Sequence, residues 1–150
     1  MIKVKENIIS VPDGYVQDFI DESFRLDTPE EYVRQNIEKR LVNEHKFFRS
    51  QIEVEMPIKI GSGNKRIDLA IFDENVEKKQ ENISIIIETK KEQVDYTDRA
   101  EGIDQLKSYM AACLNCEFGM WTNGKSKFVY RKLKDKKNKT CRLFSKSHGV

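Results

Sequence analysis

The chain has 150 residues, with 27 Lys and Arg against 25 Asp and Glu, for a formal charge of +2; this is the size of one domain. Apolar runs such as Ile85-Ile86-Ile87 fall far short of the roughly 20 residues that span a bilayer, and no apolar stretch follows Met1 to act as a secretion signal. Three Cys and no such signal point to a reducing, cytoplasmic setting without a membrane partner.

The near-neutral total conceals a split. Residues 125–150 hold 10 basic residues and one acid, Asp135, for +9, and residues 1–124 carry −7. The expectation is one domain over 1–150, with a core at about 28–133. Residues 1–27 read as an N-terminal extension and 134–150 as a basic C-terminal tail.

In chain order, Ile8-Ile9 reads as a short strand and Tyr15–Phe24 as a helical turn or two. Thr28-Pro29-Glu30-Glu31 is a helix start: Thr28 as N-cap, Pro29 at the first helical position, Glu31 closing a capping box. The helix is expected to reach about Glu44, with Val33, Ile37 and Leu41 on its inward face. Gln51–Ile60 alternates as a strand, and Pro57 places it at an edge or a bulge. Gly61-Ser62-Gly63-Asn64 suits a hairpin leading into Arg66–Phe72. Ile83–Lys90, apolar on both faces until its end, reads as a central buried strand. Asp98–Leu114 is expected as a helix with Ile103, Leu106, Met110 and Leu114 inward. Phe118–Thr122, the Asn123-Gly124 turn and Lys127–Leu133 complete a strand pair. The order defines an α/β domain, a mixed central sheet flanked by helices.

Strand ends carry charges where a buried sheet should have none. In Arg66-Ile67-Asp68-Leu69-Ala70-Ile71, alternation puts Ile67, Leu69 and Ile71 on one face and Asp68 on the other. Glu88 and Lys90 share a face at the end of Ile85-Ile86-Ile87-Glu88-Thr89-Lys90. Were these strands neighbours, Asp68, Glu88 and Lys90 would converge, either as a salt bridge or as a metal site. Two carboxylates and a lysine suit phosphodiester hydrolysis: hard oxygen ligands for Mg²⁺, and an ammonium for the water and the developing charge.

Arg66-Ile67-Asp68, then Glu88-Thr89-Lys90, then Gln105-Leu106-Lys107-Ser108-Tyr109 resemble the PD-(D/E)XK nuclease signature with its QxxxY motif. With Thr28–Gln35 and Trp121-Thr122-Asn123-Gly124, the chain resembles the N-terminal nuclease domain of type I restriction enzyme R subunits over roughly residues 28–133. Ile67 stands where the family's name has proline.

The resemblance implies a restriction-endonuclease-like fold and a Mg²⁺-dependent endodeoxyribonuclease (Mn²⁺ can substitute) acting on double-stranded DNA. It implies a cleavage module that works with motor domains and with specificity and methylation subunits. Asp68 and Glu88 would ligate the metal with the Thr89 carbonyl, and Lys90 would activate water. Gln105 and Tyr109, one helical turn apart, would hold DNA or support the site. A first-helix glutamate completes the family's metal site; Glu30 is favoured over Glu31, which has its capping role. Arg34 and Gln35 match the pattern; Arg34 is a candidate for DNA contact or site support, or else a plain charge on the helix surface. Alternatives are a stand-alone resolvase or repair-type nuclease, or a non-catalytic DNA-binding module.

Other motifs carry less. Cys113-Leu114-Asn115-Cys116 falls at a helix C-terminus, where the dipole opposes a thiolate, and a zinc site lacks a second close pair among Cys141, His45 and His148. Gly61-Ser62-Gly63 has no following lysine and helix, so no ATP site is expected within the chain. Lys125–Lys146 reads either as a solvated strand and disordered tail or as a phosphate-contacting surface. In the second reading Lys125 and Lys127 contact DNA, aided by Phe128 and Tyr130.

Overall fold

The computed structural model describes residues 10–134 and 141–149. Twelve short elements build it: β1 (Tyr15–Gln17), β2 (Phe24–Leu26), α1 (Pro29–Asn43), a 3-10 turn (Arg49–Gln51), β3 (Ile52–Ile60), β4 (Gly63–Phe72), a second 3-10 turn (Gln80–Asn82), β5 (Ile83–Thr89), α2 (Ile103–Ala112), β6 (Phe118–Thr122), β7 (Ser126–Lys134) and β8 (Cys141–Gly149). The main sheet runs β3-β4-β5-β6-β7-β8. Only β5 and β6 pair in parallel; the other neighbours are antiparallel. This is the expected α/β arrangement, with apolar clusters on both sheet faces. One holds Leu41 of α1 with Ile52, Val54, Leu69, Ile71 and Ile87; the other holds Ile103, Leu106 and Met110 of α2 with Ile67, Phe72, Ile83, Ile86 and Trp121. Such buried side chains contribute roughly 1.5–3 kcal/mol each.

Pro57 is exposed on β3, an edge strand, where its missing N–H removes no ladder bond. Thr28 caps α1 by accepting the Glu31 N–H at 3.1 Å. The other limb of the expected box is not made, because the Glu31 carboxylate turns to Arg34 and Gln35.

Several expectations are corrected. Residues 15–26 form a hairpin of β1 and β2 rather than helical turns. Asp18 closes its loop by accepting the N–H groups of Ile20 and Asp21 (2.8 and 3.0 Å), a local bond that competes with helix. Ile8-Ile9 lies outside the described residues. The inward face of α1 is not mainly Val33, Ile37 and Leu41: it buries Glu31, Arg34, Gln35 and Glu38 with Leu41, and of these polar groups Glu31, Arg34 and Gln35 find hydrogen-bond partners there. Helix α2 is shorter than Asp98–Leu114. Asp98 accepts the Ala100 and Glu101 N–H groups (2.9 Å each), which makes a turn, and Leu114 is exposed beyond the helix end. Residues 141–149, read above as part of a tail, form β8 on β7.

Strict alternation also fails in the β3–β4 hairpin. Val54 and Leu69 join the α1-side cluster, whereas Met56 and Ile67 join the α2-side cluster. Residues two apart on a regular strand share a face, so both strands reverse faces between these pairs. The reversal falls at Glu55, which adopts φ 54°, a left-handed conformation that costs a non-glycine residue about 1 kcal/mol or more. Val54↔Leu69 and Met56↔Ile67 remain in register, while Glu55 and Asp68 between them form no ladder pair.

Candidate active site

Asp68 thus sits where β4 reverses faces, and Glu88 near the end of β5. The β4–β5 ladder ends toward this point at Leu69↔Ile87. Beyond it the side chains take over the backbone bonding. The Asp68 N–H donates to Glu88 Oε1 at 3.1 Å, and the Thr89 N–H donates to Asp68 Oδ2 at 2.8 Å. Each carboxylate is fixed through one oxygen by the neighbouring strand. Lys90 Nζ lies 3.7 Å from Glu88 Oε2, and the Lys90 N–H donates to Thr122 O on β6 at 2.8 Å. Glu88, Thr89 and Lys90 are all buried.

Two carboxylates in this position oppose each other's ionisation. Burial, and then the charge of Asp68, push Glu88 well above the usual carboxylate range. Burial also raises Asp68, against the Thr89 N–H, Lys90 and Arg34, which favour its ionised form. Positive charge beside such a pair favours both ionised forms. Glu30, half-buried in the first turn of α1, is raised by burial and by Asp68, with Lys90 opposing. Its carboxyl is sensitive to the charges of Asp68 and Lys90, whereas Glu31 is bonded to Arg34 and Gln35. Among the described residues no three His, Cys, Asp or Glu side chains stand close enough together to hold a metal by themselves. A cation here would have Asp68 and Glu88 as its side-chain donors, hard oxygen ligands of the kind Mg²⁺ accepts.

The remaining candidates divide. Tyr109, buried, is raised by burial and by Glu88, and its OH accepts from Gln105 Nε2 at 3.0 Å. Gln105 Oε1 has no partner among the described residues. Arg34 is buried between Glu31 and Glu55 (3.5 Å to Glu55 Oε1) and acts electrostatically on Asp68 and Glu30. Gln35 donates to Asp18 and Glu31 (3.1 and 2.8 Å) and to neither site carboxylate. Lys125 pairs with Glu92 at 2.9 Å on the surface, a bond weak enough to exchange for a phosphate. It lines a cleft of about 300 Å³ with Pro29, Tyr32, Gln93 and Asn123; Pro29 adjoins Glu30 in the chain, and Asn123 adjoins Thr122, whose carbonyl accepts the Lys90 N–H. Lys127 instead lines an apolar groove on the α1 face with Ile37 and Met120. Lys132 donates to the Met110 and Cys113 carbonyls (2.8 Å each), closing the end of α2. Burial pushes the Cys113 and Cys116 thiols up to about 11 and about 12, which disfavours the reactive thiolate.

Pattern reading passed over four charged residues among the contacts of α1, β3 and the N-terminal hairpin: Asp18, Arg25, Glu38 and Glu55. Glu38 is fully buried with neither oxygen hydrogen-bonded among the described residues. One signal was present in the sequence. Glu31, Arg34, Gln35 and Glu38 recur at the spacing of one helix face, the same period that drew attention to Val33, Ile37 and Leu41.

A mixed sheet flanked by helices, with paired carboxylates and a lysine at a central strand end, defines a restriction-endonuclease-like domain. The family model described as "Type I restriction enzyme R protein N terminus" matches residues 29–143, and the chain belongs to that family. No curated protein and no solved structure matches it. Among the described residues no helix is long and apolar enough to cross a membrane.

Proposed function

We propose that this domain is a Mg²⁺-dependent endodeoxyribonuclease, the cleavage module of a type I restriction enzyme R subunit. The observation that carries the reading is the reciprocal bonding of Asp68 and Glu88. Their carboxylates are buried together, each secured by the other strand's backbone, with the Lys90 ammonium beside them. A salt bridge alone would leave two acids sharing one lysine. Asp68, Glu88 and the Thr89 carbonyl would hold the cation, with Glu30 at the edge of the site. The chemistry supplied by such a cation, when bound, is Lewis acidity: neutralisation of the scissile phosphate's charge and polarisation of water.

The chain's own groups do the rest. Lys90 orients the attacking water and offsets negative charge as it builds on the phosphate oxygens. Tyr109, held by Gln105, closes the site against bulk water. Lys125 contacts the DNA backbone, giving salt-dependent binding without base readout. Double-stranded DNA is the substrate. Motor, specificity and methylation components of a restriction complex would choose where the module acts.

The test is nicking of supercoiled plasmid by the 150-residue chain, or by an R subunit carrying it, in Mg²⁺ or Mn²⁺. Wild type converts the plasmid to open circles and chelation stops it. Asp68→Ala and Lys90→Ala lower the rate by about 10²-fold or more. Cleavage that survives either change refutes the site.

A further inference from the structure

Glu55 has no place in the site as read so far, yet it occupies the strand position opposite Asp68. It holds φ 54° in the middle of a strand, where its neighbours are extended. A glutamate does not adopt that conformation freely, so something must hold it. The side chain shows what does. Arg25 Nη1 lies 2.8 Å from Glu55 Oε2 and Arg34 Nη1 lies 3.5 Å from Oε1, with Arg66 Nη1 at 3.9 Å on the outside. Arg25 is itself fixed by Asp18 (3.1 Å) and Asp21 (2.6 Å). Asp18 is buried and accepts from Gln35 Nε2 of α1 at 3.1 Å. The chain of contacts therefore runs from the β1–β2 hairpin through Arg25 to the reversal in β3.

The consequence falls on Asp68. A regular β3–β4 ribbon would pair residues 55 and 68 and keep Ile67 and Leu69 on one face. The reversal releases Asp68 from that pairing. Its N–H then reaches Glu88 and its carboxylate reaches the Thr89 N–H.

We propose that Glu55 is a positioning residue for Asp68, and that the N-terminal hairpin clamps it in that role through Arg25. The hairpin precedes residue 29, where the family match begins, so the clamp is a part of this chain that the family model does not define. The functional weight of the inference rests on the nuclease reading; its geometry does not.

The experiment measures amide hydrogen exchange by NMR on the full 150-residue chain. Thr89 and Asp68 are compared with Ile86 on the same strand as an internal reference. Free Mn²⁺ is followed in parallel by electron paramagnetic resonance. Glu55→Ala and Arg25→Ala are expected to lower protection of the Thr89 amide at least tenfold relative to Ile86 and to weaken Mn²⁺ binding at least fivefold. Arg25→Lys restores part of both. A Thr89-to-Ile86 ratio that stays at the wild-type value in a folded variant overturns the proposal. Should Glu55→Ala fail to fold, Arg25→Ala, which leaves β3 intact, decides alone. A wild type that neither binds Mn²⁺ nor cuts DNA refutes the nuclease reading, while the exchange ratio still decides the role of Glu55.

Discussion

Replacing Glu38 with Gln should stabilise the protein, and by more at higher pH. Glu38 is fully buried, and neither carboxylate oxygen has a hydrogen-bond partner among the described residues. Burial, then the negative charge of Asp18, push its carboxyl from 4.5 to about 9. The folded protein therefore holds this proton at neutral pH, and the unfolded chain does not. Stability associated with Glu38 is fully present below the unfolded value. It declines at about 1.4 kcal/mol per pH unit above that value until the folded carboxyl itself ionises.

At pH 7 the loss is bounded at about 3 kcal/mol. Gln carries the shape of the protonated acid without the titration. The two proteins should thus have similar stability near pH 4.5, and Glu38→Gln should exceed wild type by about 2–3 kcal/mol at pH 7, close to 4–12 °C in Tm for a domain of this size. Urea denaturation at pH 5, 6, 7 and 8 measures the difference. Comparing the two chains removes the contributions of Asp68, Glu88 and Glu30, which titrate in both. A stability difference that is flat across this range, or that shrinks as pH rises, refutes the reasoning.

Metal and pH should act together at the Asp68–Glu88 pair. Both carboxyls are held above their ordinary range, so without metal stability falls as pH rises beyond the unfolded carboxylate values; Mn²⁺ competes with the protons and binds more tightly at pH 8 than at pH 6, as calorimetry would read. At 100 times its Kd the cation should stabilise wild type by about 2.7 kcal/mol, and Asp68→Asn should lose most of that gain in a thermal melt. Gly102→Ala should destabilise by about 1–3 kcal/mol in urea, because the added carbon would run into the Tyr96 and Asp98 carbonyl oxygens, backbone atoms that cannot swing aside. Thr28→Ala should cost about 1 kcal/mol by removing the cap on α1, with the loss visible in the same denaturation series.

How much was legible in the sequence depended on whether the governing interactions were local. The Asp68, Glu88, Lys90 spacing, the cap of α1 and the apolar run of β5 are properties of short segments. Each could be read from residue type and period, and the family resemblance rested on the same segments. The hairpin at 15–26 was misread because its loop is closed by Asp18 bonding to its own neighbours, which period counting does not register.

Tertiary structure decided what lies between those segments. No pattern announces that a glutamate in an alternating strand will adopt a left-handed conformation. Glu55 does so where arginines from β2 and α1 meet it, and these lie 30 and 21 residues away in the chain. The polar face of α1 is buried for a related reason: Gln35 meets Asp18 of the hairpin and Arg34 meets Glu55 of β3, partners whose positions the sequence does not state. Burial of charge is unfavourable until its partners arrive, and the fold supplies those partners. The residue types of the candidate site are written in the chain; the reversal that brings the Asp68 carboxylate to the Thr89 N–H comes from packing.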